Sequence, residues 1–278
     1  GRAVAERFVA GDDLDAATGT ARELNQRGLT VSLDLLGEEV HDRDSALLAA
    51  DRYIESIDRI AGDEIAGNIS IKLTQLGLAF DRGLAAESLE RLATRAGEIG
   101  STVSVDMEAS EFTDATVDVY ENAQRTHGNL GLCLQAYLHR TPEDLERLIP
   151  LGGHIRLCKG AYVEPPGIAF QTDDDVDAAF ARLLERLMGA DEVTPAIATH
   201  DGRLIDLTLK LAVRRRSPWE IQMLYGVRSG LQTELVDAGH PVRIYVPFGS
   251  EWYAYLTRRL AERPANLTFF ARALVGRR

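Results

Sequence analysis

The 278 residues match the length of one barrel-sized domain, and 45% apolar with 27% charged residues is ordinary for a soluble globular protein. A net charge of −12, from 43 acidic against 31 basic side chains, repels phosphate backbones and argues against nucleic acid as a partner. No apolar run approaches the roughly 18 residues of a membrane span and no signal peptide opens the chain, although a first residue of Gly1 leads us to expect a segment ahead of it.

In chain order, a helix is predicted over 12–26, where it would cover an end of the fold. Short β-rich runs then alternate with longer segments of helical period. The predicted strands are 30–35, 68–74, 102–107, 130–137, 154–158, 195–199, 220–224 and 242–246, with helices such as 45–60, 85–99, 174–188 and 250–262 between or after them. Strands alternating with helices imply parallel pairing through crossovers, and eight of them imply a closed (β/α)8 TIM barrel. No linker or repeat divides the chain, so one domain is expected, with a helical segment over 1–29 and a barrel over 30–278. Arg214, Arg215 and Arg216, at a predicted helix end, read as solvated surface. Cys133 and Cys158, the two cysteines, fall inside predicted strands. They imply a reducing compartment, hence a cytoplasmic location, and offer neither a disulfide framework nor a metal site. Both read as buried packing residues.

Within the strands, residues two apart share a face. Ile69, Ile71 and Leu73 oppose Ser70, Lys72 and Thr74; Val103 and Val105 oppose Ser104 and Asp106; Ile155 and Leu157 oppose His154 and Arg156. One face is therefore apolar, for the helices, and the other polar, for the lumen. The polar residues gather toward the C-terminal strand ends as Asp34, Lys72, Asp106, Gln135, Arg156, His200 and Tyr245. Barrel active sites lie at that end. The 250–262 helix adds Tyr255, Arg258, Arg259 and Glu262 on one face, at i, i+3, i+4 and i+7. Arg258 and Glu262 are spaced to pair, and a guanidinium fork suits a carboxylate ligand. From this helix alone, an exposed surface face and a substrate clamp are equally open.

These residues carry a resemblance. Ser70-Ile71-Lys72-Leu73, Val105-Asp106-Met107-Glu108, Gln135-Ala136-Tyr137, Arg156-Leu157-Cys158-Lys159-Gly160-Ala161-Tyr162, Ala198-Thr199-His200, Arg243-Ile244-Tyr245-Val246-Pro247 and the Tyr255 to Glu262 segment occur in this order over nearly the whole chain. The chain resembles the proline dehydrogenases, both the single-function bacterial enzymes and the matching domain of bifunctional proline-utilisation proteins. The resemblance implies a distorted barrel whose last helix lies over the C-terminal mouth. It also implies FAD held without a dinucleotide fold, and no Gly-x-Gly-x-x-Gly follows a strand here.

By that resemblance Met107, Gln135, Arg156, Lys159, Gly160, Ala161, Tyr162, Thr199 and His200 contact FAD. Lys72, Tyr245, Tyr255, Arg258 and Arg259 surround L-proline, with Glu262 supporting the clamp, while Asp106 and Arg156 are the catalytic pair. Lys72 with Asp106 also reads as a structural ion pair, and His200 as a core histidine. Tyr137 is expected to pack, and His139, His154 and His240 to be structural or exposed. The implied reaction is hydride transfer from proline to flavin N5, giving 1-pyrroline-5-carboxylate, with quinone as electron acceptor and peripheral membrane contact. A separate pyrroline-5-carboxylate dehydrogenase would take the product. Two other classes suit a barrel with a lumenal lysine: a Schiff-base aldolase and a non-catalytic metabolite-binding barrel.

Overall fold

A computed structural model of the chain describes residues 7–37, 40–253 and 255. Eight parallel strands pair in sequence order and β1 closes on β8, forming a barrel. The strands are β1 (Thr30–Leu35), β2 (Gly67–Ile71), β3 (Val103–Val105), β4 (Leu130–Gln135), β5 (His154–Cys158), β6 (Thr194–Ala198), β7 (Glu220–Leu224) and β8 (Val242–Phe248). Three match the bounds expected from the pattern. The others differ by one to three residues at one or both ends: β2, β3, β4 and β6 stop short where alternation continues into loops that no longer pair, while β8 runs two residues farther on its pairing with β1. Lys72, Asp106, Met107, Thr199 and His200 thus lie just past their strands, at the mouth.

Helix α1 (Leu14–Gln26) precedes β1, and α2 (Arg43–Gly62), α3 (Arg82–Glu98), α4 (Thr113–His127), α5 (Thr141–Leu148), α6 (Asp173–Met188), α7 (Gly202–Ala212) and α8 (Ser229–Asp237) follow β1 to β7 in turn. Side chains of Asp13, Asp42, Asp81, Thr172 and Asp201 accept from first-turn N–H groups of α1, α2, α3, α6 and α7, satisfying donors that have no partner within the helix. The helices bury one face each on the outward residues of the strands, such as Val31, Ile69, Val103, Leu132, Ile155, Ile221 and Ile244, which are essentially without exposure.

Two expectations are corrected here. Helix α1 does not cover a barrel end. It packs its Ala17, Ala21 and Leu24 face beside β1 and β8, because small residues at helical spacing let it lie flat on the barrel wall. That is the place a helix following β8 would otherwise occupy. The Arg214 to Arg216 run is not wholly solvated either. Arg215 donates to the carbonyls of Met188, Ala190 and Val193 at 2.8, 2.9 and 2.6 Å, since the C-terminal end of α6 leaves carbonyls without helical partners. No helix among the described residues is long and apolar enough to cross a membrane.

Leu89, on the inward face of α3, is fully buried in the main core. Leu89→Ala is expected to lower the unfolding free energy by about 2–5 kcal/mol in urea denaturation, through lost burial and the cavity left behind.

Candidate active site

The lumenal face is polar as its alternation predicts. Arg156 on β5 proves the direction, because it bonds to strands that are not its neighbours. Its Nε donates to Gln222 Oε1 of β7 at 2.6 Å and its Nη2 to Ser70 Oγ of β2 at 3.0 Å. Its remaining terminal nitrogen makes a short ion pair with Asp106 Oδ1. Such contacts are reachable only across the interior of the barrel.

Four buried charges meet at the C-terminal end. Lys72 Nζ lies 2.8 Å from Asp34 Oδ1 and 3.4 Å from Asp106 Oδ2, and Asp106 also pairs with Arg156. Tyr245 donates its hydroxyl to Asp106 Oδ2 at 2.6 Å, with the Arg156 guanidinium carbon 5.2 Å from its ring centre. Burial alone would push the Asp106 carboxyl up, but Arg156 and Lys72 outweigh it and hold the group below the usual carboxylate range. Burial likewise opposes a charged Lys72, yet the carboxylates of Asp34 and Asp106 hold its ammonium well above the ordinary lysine value. Asp34 is shifted upward, chiefly by burial against the pull of Lys72. Burial, with Asp106 adding to it, raises the Tyr245 phenol well above its normal value, so it stays a donor.

A cavity of about 610 Å³ opens above this cluster, with walls from Met107, Gln135, Tyr137, Lys159 to Val163, Thr199, His200 and Tyr255. Every expected site residue among the described ones lines it. Several are also committed within the protein. Gln135 donates to Glu108 O at 2.9 Å and accepts from Ala161 N at 3.3 Å, so it fixes the loop after β5. Lys159 is paired with Asp177 and, at 3.2 Å, with Asp201. His200 Nε2 accepts from Leu224 N at 2.9 Å, which places the ring proton of its neutral form on Nδ1. Thr199 Oγ1 accepts from Asp201 N at 3.1 Å. A Cβ on Gly160, at φ +124°, would lie 2.3 Å from the Tyr137 ring. The glycine is therefore required by a close approach to Tyr137. Tyr255 is buried against Phe8, Val9 and Leu36. Arg258, Arg259 and Glu262 lie outside the described residues.

The pattern reading missed the support beneath the cluster. Gln222 accepts from Arg156 and donates to Glu220 Oε1 at 2.6 Å, and Arg243 Nε donates to the same oxygen at 2.7 Å. Alternation on β7 puts Glu220 and Gln222 on one face, but that face had not been assigned. Nor was Asp34 recognised as the nearer carboxylate to Lys72.

Replacing Lys72 by Met leaves Asp34 buried without its cation, a loss of about 3–5 kcal/mol at neutral pH. An acid whose folded value is raised adds stability below its unfolded value and loses it as pH rises toward the folded one. The deficit should therefore shrink as pH falls from the raised Asp34 value toward about pH 4, and adding Asp34→Asn should recover part of it at neutral pH. Urea unfolding of both variants across pH measures this.

The comparisons with known proteins agree. The family model described as proline dehydrogenase matches residues 17–272. Proline dehydrogenase 2 of Bacillus subtilis strain 168 is 37% identical over 271 residues, covering 96% of this chain and 89% of its own length. The proline dehydrogenase of Deinococcus radiodurans is 35% identical over 280 residues, covering 98% and 90%. The bifunctional protein PutA of Escherichia coli K12 is 26% identical over 317 residues, with 98% of this chain aligned to 24% of that protein. Among solved structures, proline utilization A of Bdellovibrio bacteriovorus superposes with a TM-score of 0.86 at 24% identity over 93% of this chain and 32% of that one, which shows the shared fold. With the match spanning nearly the whole barrel and its C-terminal mouth, the chain belongs to the proline dehydrogenase family.

Proposed function

We propose that this proline dehydrogenase oxidises L-proline to 1-pyrroline-5-carboxylate with FAD held in the cavity at the barrel mouth. The observation that carries the reading is the buried Lys72, Asp106, Arg156 and Tyr245 cluster beneath that cavity. The cavity volume falls within the roughly 300–1,000 Å³ of ligand sites. Its lining suits a flavin, combining the aromatic Tyr137 and Tyr162, the Met107 thioether and the Arg156 guanidinium. Met107, Gln135, Arg156, Lys159, Gly160, Ala161, Tyr162, Thr199 and His200 would hold it. When bound, the flavin would supply the redox chemistry, serving as hydride acceptor for the ring carbon beside the proline nitrogen.

The protein contributes binding and electrostatics. By the family resemblance, Arg258 and Arg259 would take the substrate carboxylate with Glu262 in support, while Tyr245 and Tyr255 would wall the ring and exclude larger amino acids. Arg156 is preorganised by Asp106, Gln222 and Ser70, so its charge is available without rearrangement where negative charge accumulates. Lys72 and Asp106 are poor proton acceptors, since one is held protonated and the other is held ionised by Arg156 and Lys72. The amine proton therefore leaves to water, and the reactive substrate is the neutral amine. The same ammonium counts against a Schiff-base lysine, which must be neutral to attack a carbonyl. Transfer of electrons to quinone at a membrane surface, and delivery of the product to a separate pyrroline-5-carboxylate dehydrogenase, rest on family resemblance.

The decisive experiment is a visible spectrum before and after anaerobic addition of L-proline. Flavin bands that bleach with proline are expected; a colourless protein that takes up no FAD would overturn the reading. Arg258→Ala and Arg259→Ala are expected to raise KM strongly while flavin stays bound, and unchanged proline kinetics would remove the clamp. Asp106→Asn should lower kcat more than flavin occupancy. It should also leave the rise of kcat/KM with pH in place, because that limb follows the substrate amine.

A further inference from the structure

The cavity wall contains a pair of thiols to which nothing above assigns a task. In the parallel pairing of β4 with β5, Cys133 sits opposite Arg156 and Cys158 opposite Gln135. The two cysteines are thus two positions out of register on adjacent strands. Each is separated by two residues from a lumenal side chain of its own strand, Gln135 or Arg156, so both turn inward. Their sulfurs are 3.6 Å apart, and both residues line the cavity. They are thiols, not a disulfide.

We propose that Cys133 and Cys158 form an oxidative modification site, a dithiol that a hydroperoxide entering the cavity converts to a disulfide in the wall of the active site. Cys133 is the attacking sulfur. The hydrogen bond from Cys158 lowers its thiol value, against burial, and Arg156 adds to that effect. The thiolate attacks one peroxide oxygen and the O–O bond breaks. This yields a sulfenic acid on Cys133 and an alcohol, or water from hydrogen peroxide. The Cys158 sulfur then attacks the sulfenyl sulfur, the S–S bond forms, and the hydroxyl leaves as water with the Cys158 proton. In sum, two thiols lose two electrons and two protons, and one peroxide is reduced.

Closure brings the sulfurs from 3.6 Å to a bonded separation of about 2.05 Å. Because the two residues are two positions out of register, side-chain rotation is joined by movement of the backbone. It falls on the ends of β4 and β5, which carry Gln135, Arg156 and Lys159. The oxidised protein should therefore turn over proline poorly, a consequence that rests on the function proposed above.

The test treats the reduced holoenzyme with equimolar hydrogen peroxide, then denatures, alkylates and weighs it. With two cysteines in the chain, the mass is diagnostic. The expected product lacks two hydrogens, takes up no alkylating agent, yields a linked Cys133–Cys158 peptide pair, and reverts with dithiothreitol. In Cys158→Ser, Cys133 should stop at a sulfenic acid that dimedone traps. Full alkylation of both cysteines after peroxide overturns the site, as does direct passage to the sulfinic acid without a link. Turnover of the wild type should fall on oxidation and return with dithiothreitol, and Cys158→Ser should show no such loss and recovery through a link. A linked protein with undiminished turnover overturns the effect on catalysis. Because the link is read by mass, absence of proline turnover before oxidation would count against the proposed function alone.

Discussion

The site is built around one constraint: two cations and two carboxylates buried together at the C-terminal end of a closed barrel. A buried charge is costly unless it is paired and hydrogen-bonded. Here Lys72 and Arg156 balance Asp34 and Asp106, with Asp106 touching both cations. Its position between them explains why Asp106 is held down while Asp34, paired with Lys72 but not with Arg156, is raised by burial. Each charge comes from a different strand or strand end. The cluster exists only when β1, β2, β3 and β5 are all in register, and in that sense barrel closure and site assembly are one event.

Beneath the cluster, the lumen is a continuous polar scaffold. Arg156 leans on Gln222, which is oriented by Glu220, which in turn is held by Arg243. The Glu220 carboxylate decides which way the Gln222 amide faces, and hence that an acceptor is presented to the guanidinium. The lower half of the lumen thus supports the upper half. Outside it, α1 takes the place beside β8 and β1, and Tyr255 is already turned against Phe8 and Leu36 at the mouth. Tyr255, seven residues after the end of β8, is thereby fixed in the cavity wall.

This arrangement favours preorganisation over proton transfer. Lys72 is kept charged by its carboxylates and Tyr245 is kept protonated by burial and by Asp106. Such groups can shape a field and hold a substrate without exchanging protons with it. Under the proposed function the redox step would fall to a bound flavin, for which the cavity offers aromatic, sulfur-bearing and cationic side chains.

Much of this was determined by the sequence itself. Period-two alternation separates Ser70, Asp106, Arg156 and Tyr245 from their apolar neighbours, because successive strand residues must face opposite ways. Eight such strands with helices between them leave few alternatives to the barrel. The short motifs carried the family. What alternation does not contain is lateral register, since the same pattern is compatible with any sliding of one strand against the next by two residues. Only the tertiary structure therefore decided that Lys72 lies nearer Asp34 than Asp106. It likewise brought Gln222 under Arg156 and set Cys133 beside Cys158. Arg215 and α1 depended on it for the same reason: carbonyls at the end of one helix, or a vacant place on a barrel wall, arise only once distant segments are packed together.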